Sequence, residues 1–339
     1  MEQERALRKK SAPSREAMIR FAYAFGLVLC CLAGFAGPTH AWPDQPVRIV
    51  VPFAAGGTTD VIARLLAEKL SPLLGQPVLI ENVGGAGGNT GATLVTKSPP
   101  DGSAILMGTP GPTVMNQFMY ARMPYDTATA FAPIALVAST ASVLMAGPKV
   151  EAQSLTEFIA LMRRRPEGVN YGSAGLGSTG HLGGALFGSI AGLKAQHVPY
   201  RGSGPMLQDL MAGNIQFTID SIPGAIGLIR GGAVRALAVT ARNRVAELPD
   251  IPTTKEAGLP EVEVYTWVAL FAPAGTPPSV VVRINTEVNA ALKDPELRRK
   301  ISEQGAKPEG GSVDEFTTFL NAERVRWKRA VEIAGVKVD

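Results

Sequence analysis

The strongest constraint on this chain is a change of hydrophobic period that recurs along it. Val47–Val51 is a β-branched run, followed at once by the turn PFAAGGTTD over residues 52–60. The pattern then switches to helical spacing, with Val61, Ile62, Leu65, Leu66 and Leu70 on one stripe that ends at Pro72 and Gly75. A short apolar strand feeding an amphipathic helix is the repeating unit of an α/β sheet. A run this apolar predicts a strand buried on both faces, as in a parallel sheet.

The alternation continues. Strands are expected at residues 78–80 and 104–107, separated by a glycine-rich segment at 84–91 and a helix at 92–97. Two more strands are expected at 134–138 and 142–146. After Ala152 a second series begins, with a helix at 155–164, a strand at 169–172 and a helix at 181–191. Strands at 195–199 and 215–219 flank a helix at 205–211, and short apolar runs at 226–229 and 236–240 follow. The last third reads as helices at 278–292, 295–303 and 313–334. With 339 residues, 46% of them hydrophobic, there is material for two such lobes. Gly147-Pro148 and the segment 260–267 read as two crossings between them, although periodicity by itself supports only the two lobes.

The first forty residues differ from the rest. Arg5, Arg8, Lys9, Lys10, Arg15 and Arg20 form a basic region, residues 21–35 are apolar, and Thr39-His40-Ala41 is a small-x-small site. This is the pattern of a secretory signal peptide over residues 1–41, which implies a periplasmic protein. A membrane anchor is the alternative; Gly26, Gly34 and Gly37-Pro38 interrupt the apolar run and fit it less well. Both cysteines, Cys30 and Cys31, lie in this segment, so the mature chain has no thiol or disulfide chemistry. Six of the 33 cationic and three of the 29 anionic side chains precede Trp42, which leaves a net charge of +1. No basic block remains to displace counterions, and nucleic acid is excluded as a partner.

Two loops carry candidate chemistry. In PFAAGGTTD, Gly56 and Gly57 free the backbone so that N–H groups can converge on an anion, and Thr58, Thr59 and Asp60 are able to cap the following helix. An ordinary capped turn is the alternative. YGSAGLGSTGH, residues 171–181, stands at a second strand-to-helix junction. Its Gly175-x-Gly177-x-x-Gly180 matches a dinucleotide fingerprint formally, but it lies mid-chain with no acidic residue about twenty positions on. A second anion nest fits better, with Ser173, Ser178 and Thr179 as donors. His181 is either a helix-start packing residue or a direct contact.

Arg201, in PYRGSGP, has the chemistry to fork onto a carboxylate, or to be a solvated surface arginine. Asp220, at a strand tip, either reads a polar group of a ligand or caps a turn. Tyr265 and Trp267 lie in the second crossing, as cleft wall or core. Neither Ser173 nor Ser178 sits in a Gly-x-Ser-x-Gly elbow, and only His181 and His197 are left to serve as a base, which disfavours an exported hydrolase. No metal-ligand spacing is present, and neither metal nor cofactor is expected.

Taken together, the stretches PDQPVRIVVPFAAGGTTDVIARLLAEKLSPLLGQPVLIEN, GAGGNTGA, PPDGSAILMGTPG, NYGSAGLGSTGHL, HVPYRGSGPMLQDLMAGNIQFTID and PDIPTTKEAGLP resemble the Bug family. These are the TctC-like solute-binding proteins of tripartite tricarboxylate transporters, and the resemblance runs from about Trp42 to the C-terminus. It implies a type II periplasmic binding protein fold, two α/β lobes joined by two crossing strands with a ligand cleft between. One lobe would be discontinuous, residues 42–145 and 262–339, and the other would span 146–261. The resemblance further implies a small carboxylate or related polar compound as ligand, such as a di- or tricarboxylate or an acidic amino acid, with membrane transporter subunits as partners; a signalling sensor as partner is the runner-up, and a monomer without catalysis is expected. In it Phe53 walls the pocket, Gly57, Thr58 and Thr59 donate, and Asp60 holds the loop. Ser173, Ser178 and Thr179 complete the grip, and Asp220 faces the ligand's variable end. Val83-Gly84, where the family commonly has Arg-Pro, removes a positive charge near the cleft. The segment 146–153 also lacks the asparagine commonly found there. Both departures bear on ligand identity more than on fold.

Overall fold

The computed structural model describes residues 42–338, so the leader segment read over residues 1–41 lies outside the described residues. β1 (Val47–Val51) is almost wholly buried and passes through residues 52–57 into α1 (Thr58–Leu74). Ile62, Ala63, Leu66 and Leu70 form the buried stripe of α1, and Gly75, at φ +71°, ends it in the left-handed conformation that glycine adopts freely. β2 (Val78–Asn82), α2 (Asn89–Thr96) and β3 (Ala104–Gly108) follow, and β1 pairs in parallel with both β2 and β3. A π-helical turn, Gly111–Met115, and the short α3 (Asn116–Met119) lead on to β4 (Phe131–Ala146).

β4 organises the molecule. The sequence pattern suggests two strands, at 134–138 and 142–146, whereas the structure has one strand of 16 residues. The polar pair Ser139-Thr140 does not break it because both hydroxyls find partners. Ser139 donates to Glu309 Oε1 at 2.6 Å and Thr140 to the Gly305 carbonyl at 3.0 Å. Up to Ala141 the strand pairs antiparallel with β9 (Tyr265–Pro273), and from Ser142 it pairs with β7 (Phe217–Ser221) and β8 (Arg235–Val239).

The second half of the sheet is built by the same units. α4 (Leu155–Arg163), β5 (Val169–Ser173), α5 (Thr179–Ile190), β6 (Ala195–Pro199) and α6 (Ser203–Ala212) precede β7, with β5 parallel to both β6 and β7. The apolar run at 226–229 belongs to α7 (Ile222–Arg230), which Pro223 initiates in the first helical turn. The strand order is β2-β1-β3-β9-β4-β7-β5-β6, with β8 and the two-residue β10 (Lys307–Pro308) paired onto β4. This is a type II periplasmic binding protein fold of two α/β lobes.

Thr240 ties the point where β4 changes partners. Its N–H and hydroxyl both reach the Ser142 carbonyl, at 2.8 and 2.9 Å, and the hydroxyl also contacts the Val264 carbonyl at the entry to β9. α8 (Pro278–Lys293), α9 (Pro295–Glu303) and α10 (Val313–Ala334) complete the chain. α10 grips β9 through Glu323, a buried carboxylate. It accepts from Tyr265 Oη at 2.6 Å, Trp267 Nε1 at 2.7 Å, Trp327 Nε1 at 2.9 Å and, in a fork, Arg326 at 2.8 Å twice. Burial opposes the charge, yet Arg326 and the aromatic donors hold this carboxyl below its ordinary range. The Arg326 guanidinium is also sandwiched by Tyr265 and Trp327, at 4.0 and 4.1 Å from the ring centres. Trp267, read as cleft wall or core, is core.

Removing one partner of such a network leaves buried donors and a half-buried cation unpaired. Glu323→Ala is expected to cost about 3–5 kcal/mol. Urea denaturation checks this, with a lower midpoint and an unchanged slope.

Candidate ligand-binding site

The side chains and loops just beyond the C-terminal ends of β1, β3, β5, β6 and β7 converge on one cavity of about 110 Å³. Ser142 of β4 and Thr266 and Val268 of β9 contribute from the crossing strands. Parallel strands place their following helices so that the N-termini face this space, which is where open α/β sheets hold ligands.

Four helices begin at the cavity. α1 presents Thr58 and Thr59, α5 presents Thr179 and Gly180, α6 presents Ser203, and α7 begins after Ser221. The first N–H groups of a helix have no intrahelical partner and carry its positive dipole end. At the starts of α1, α6 and α7 no side chain caps these groups. Ser178 caps α5 at the cavity; elsewhere α4, α9 and α10 are capped by Ser154, Asp294 and Ser312, whereas α2 and α8 are uncapped. Unpartnered donors at several helix starts, ringed by hydroxyls, have the chemistry to hold an anion without a cationic side chain. The lining contains no lysine or arginine, and Asp220 is its only ionisable group.

The two loops singled out in the sequence hold their shape by different means. In the first, Gly56 takes φ +84° and Gly57 is the extended N-cap of α1. Asp60 does not cap the helix that contains it. Its carboxylate turns back to accept from Gly56 N–H at 2.9 Å, from Asn82 Nδ2 at 3.0 Å and from Arg64 at 3.0 Å. Burial works against its ionisation, but these partners together hold the carboxyl below its ordinary range. In the second loop, Ser178 caps α5 by accepting from His181 N–H at 3.2 Å. Ser173 is fully buried beneath the loop. It donates to the Gly175 carbonyl at 2.9 Å and lies 2.7 Å from His197 Nε2, which therefore donates to it.

His197 stacks on His181 with ring centres 3.8 Å apart, and His181 Nδ1 accepts from Gly177 N–H at 3.2 Å. Burial pulls His181 down to about 4; burial and the adjacent His181 pull His197 down to about 3. Both rings are thus neutral braces at neutral pH.

Of the residues singled out, Phe53, Thr58, Thr59, Ser178, Thr179 and Asp220 line the cavity together. Asp60, Ser173 and His181 are buried behind the wall, and Gly57 is exposed outside the lining. Arg201 is exposed and lines an adjoining outer cavity of about 600 Å³ with Tyr200, Leu176 and the glycine-rich segment 84–88; Phe53 and Ala174 line both cavities. The lining hydroxyls of Thr109, Ser142, Ser203, Ser221 and Thr266 escaped the sequence reading. Thr109-Pro110-Gly111 after β3 is a third strand-to-turn junction and carries the signal that was available.

The cavity is bridged. Thr58 Oγ1 lies 3.1 Å from Ser221 Oγ, and Tyr120 Oη donates to the Leu176 carbonyl at 3.1 Å. The backbones of facing loops also meet: a Cβ on Gly87 would come within 2.1 Å of the Leu176 carbonyl, and one on Gly111 within 2.7 Å of the Gly177 carbonyl.

Residues 62–336 match the family model described as "Tripartite tricarboxylate transporter family receptor". The chain belongs to the TctC family. It is 35% identical over 324 residues to protein BugT of Bordetella pertussis, covering 95% of this chain and 99% of that one. Among solved structures it is similar to an R. palustris protein with adipate, at 40% identity and a TM-score of 0.84 over 88% of this chain and 99% of that one. It is also similar to MatC from Rhodopseudomonas palustris with bound malate, at 34% identity and a TM-score of 0.81 over 86% of this chain and 100% of that one. As a TctC-family receptor the chain is a solute-binding protein. Among its described residues no helix is long and apolar enough to cross a membrane.

His181 and His197 are the only histidines among the described residues. Unfolding releases both to an ordinary pKa near 6.5, so the unfolded chain takes up protons first as pH falls. Stability is therefore expected to decline from pH 6.5 downward, before carboxylates titrate, and to go on declining towards pH 4. His197→Gln should flatten this slope between pH 6.5 and 5 in a series of urea melts.

Proposed function

We propose that this chain is a periplasmic binding protein that captures a small carboxylate by closing its lobes and delivers it to a tripartite-type membrane transporter. The observation that carries the reading is the convergence of four helix N-termini on a hydroxyl-lined cavity that lacks a cationic side chain. A carboxylate there would accept from the first-turn N–H groups of α1 on one side and of α5 on the other. Thr58, Thr59, Ser178 and Thr179 would fix its orientation, Phe53 would cover it, and Asp60 and Ser173 would hold the two loops in shape. The relatives solved with adipate and malate support the same ligand class.

The reading needs no bond chemistry. Binding between two lobes favours whichever arrangement lets both contribute, and the ligand's differential affinity drives closure. The hydroxyl pair Thr58–Ser221 and the contact from Tyr120 to the Leu176 carbonyl fit a closed arrangement. The glycines at the facing loops suit it too, since a side chain at Gly87 would strike Leu176. Export would follow from the leader pattern of residues 1–41, and a membrane transporter would then be the receiving partner.

A thermal-shift screen against di- and tricarboxylates tests the ligand class, because a ligand held only by the native state raises Tm. At a hundred times Kd the stabilisation is about 2.7 kcal/mol. Gly87→Ala tests closure. Gly87 has φ +61°, so alanine there costs about 1–2 kcal/mol of stability. Calorimetry is expected to show at least tenfold weaker binding of the acid found in the screen, although Gly87 does not line the inner cavity; unchanged affinity would remove closure from the account.

A further inference from the structure

A ligand held only at the helix starts leaves the outer cavity unused. The inner cavity, at about 110 Å³, falls below the roughly 300–1,000 Å³ of most small-molecule sites, whereas the outer one adds about 600 Å³. One wall of the outer cavity follows β2, at residues 84–88, and the other follows β5 and β6, at residues 174–176 and 199–202, so both halves of the sheet enclose it. The first wall, Gly-Gly-Ala-Gly-Gly, leaves room beside Phe53: a Cβ on Gly88 would stand 3.4 Å from Phe53 Cζ. The second wall is anchored. The Tyr200 N–H donates to the Ser173 carbonyl at 3.0 Å, the Gly202 N–H to the Ala174 carbonyl at 3.1 Å, and Tyr200 Oη to Asp209 Oδ2 at 2.7 Å. Arg201 stands between these anchors and is the only charged side chain of the lining. Arg242 and Arg244 are also exposed yet pair with Glu263 and Glu256, whereas Arg201 makes no ion pair or hydrogen bond among the described residues.

We propose that the outer cavity is the second half of the ligand site and that the preferred ligand is an elongated dicarboxylate, with one carboxylate at the helix starts, the carbon chain past Phe53 and the far carboxylate on Arg201. This rests on the carboxylate reading of the inner cavity. An unpaired guanidinium presents a planar fork that matches a carboxylate, and its anchored loop holds that fork at the cavity. Between the two ends the lining offers Phe53, Leu176 and glycine backbone, with no second charge, which suits methylene groups. Each methylene taken out of water strengthens binding about fourfold. An acid too short to pass Phe53 forfeits both contributions. A monocarboxylate of full length keeps the apolar one and loses the guanidinium.

Calorimetry with succinate, adipate and suberate, and with hexanoate and octanoate as monocarboxylates of matching length, tests this. The tighter of adipate and suberate is expected to bind at least about tenfold better than succinate. It should also bind about three- to tenfold better than the monocarboxylate of its own length. Arg201→Gln should abolish this second advantage and leave the part of the first that the methylenes carry. Because Arg201 is exposed and bonded to nothing else in the protein, the variant is expected to fold, which circular dichroism checks. A long diacid no tighter than succinate or than its monocarboxylate, or an advantage that Arg201→Gln leaves unchanged, would confine the ligand to the inner cavity and overturn the proposal while leaving carboxylate capture intact. Failure of every acid to bind would overturn both readings.

Discussion

The structure depends on one strand that serves two sheets' worth of partners. β4 runs unbroken from Phe131 to Ala146, pairs with β9 along its first part, and hands over to β7 and β8 at Ser142. Because the parallel strands on either side end at the same gap, the helices that follow them must start there. Each helix start brings unpartnered N–H groups and a positive dipole end. The site is thus a consequence of topology before it is a consequence of any particular side chain. Thr240, bonded to both crossing strands, and Glu323, which locks α10 to Tyr265 and Trp267, fix the point about which the halves meet.

Anion recognition by backbone and hydroxyl groups has a physical signature of its own. A buried arginine would bind a carboxylate bidentately and hold it strongly, but it would also stand as an uncompensated charge whenever the cavity is empty. Helix-terminal N–H groups carry only partial charge and are less costly to leave in water. In the proposed reading they suit a protein that must release what it captures. The neutral His181–His197 stack follows the same logic, bracing the 173–181 loop without adding charge near the ligand.

Much of the fold was legible because parallel strands are short, apolar and followed by amphipathic helices. Val47–Val51 with its helix, and the series from Leu155 onward, announce themselves by period alone. The errors came where tertiary partners override local pattern. Ser139 and Thr140 look like a break in β4 until Glu309 and Gly305 supply their hydrogen bonds. The run at 226–229, Ile-Gly-Leu-Ile, is too short to define a period, and its helix is set by Pro223 three residues earlier. At the site, the glycine-threonine and glycine-serine loops were visible as turns. The hydroxyls contributed by Ser142 and Thr266 were not, because polar residues inside apolar strands carry no spacing signal. Arg201 was the opposite case, a strong chemical cue whose loop points it into the outer cavity.

The central claim is that a carboxylate is held between helix starts of the two lobes by N–H and hydroxyl donors, with no cationic side chain in contact. A crystal structure of the protein with a bound dicarboxylate tests it most directly. The account predicts carboxylate oxygens about 2.7–3.2 Å from backbone N–H groups at the starts of α1 and α5. A carboxylate seated instead on Arg201 in the outer cavity, with the inner one filled only by water, would contradict it.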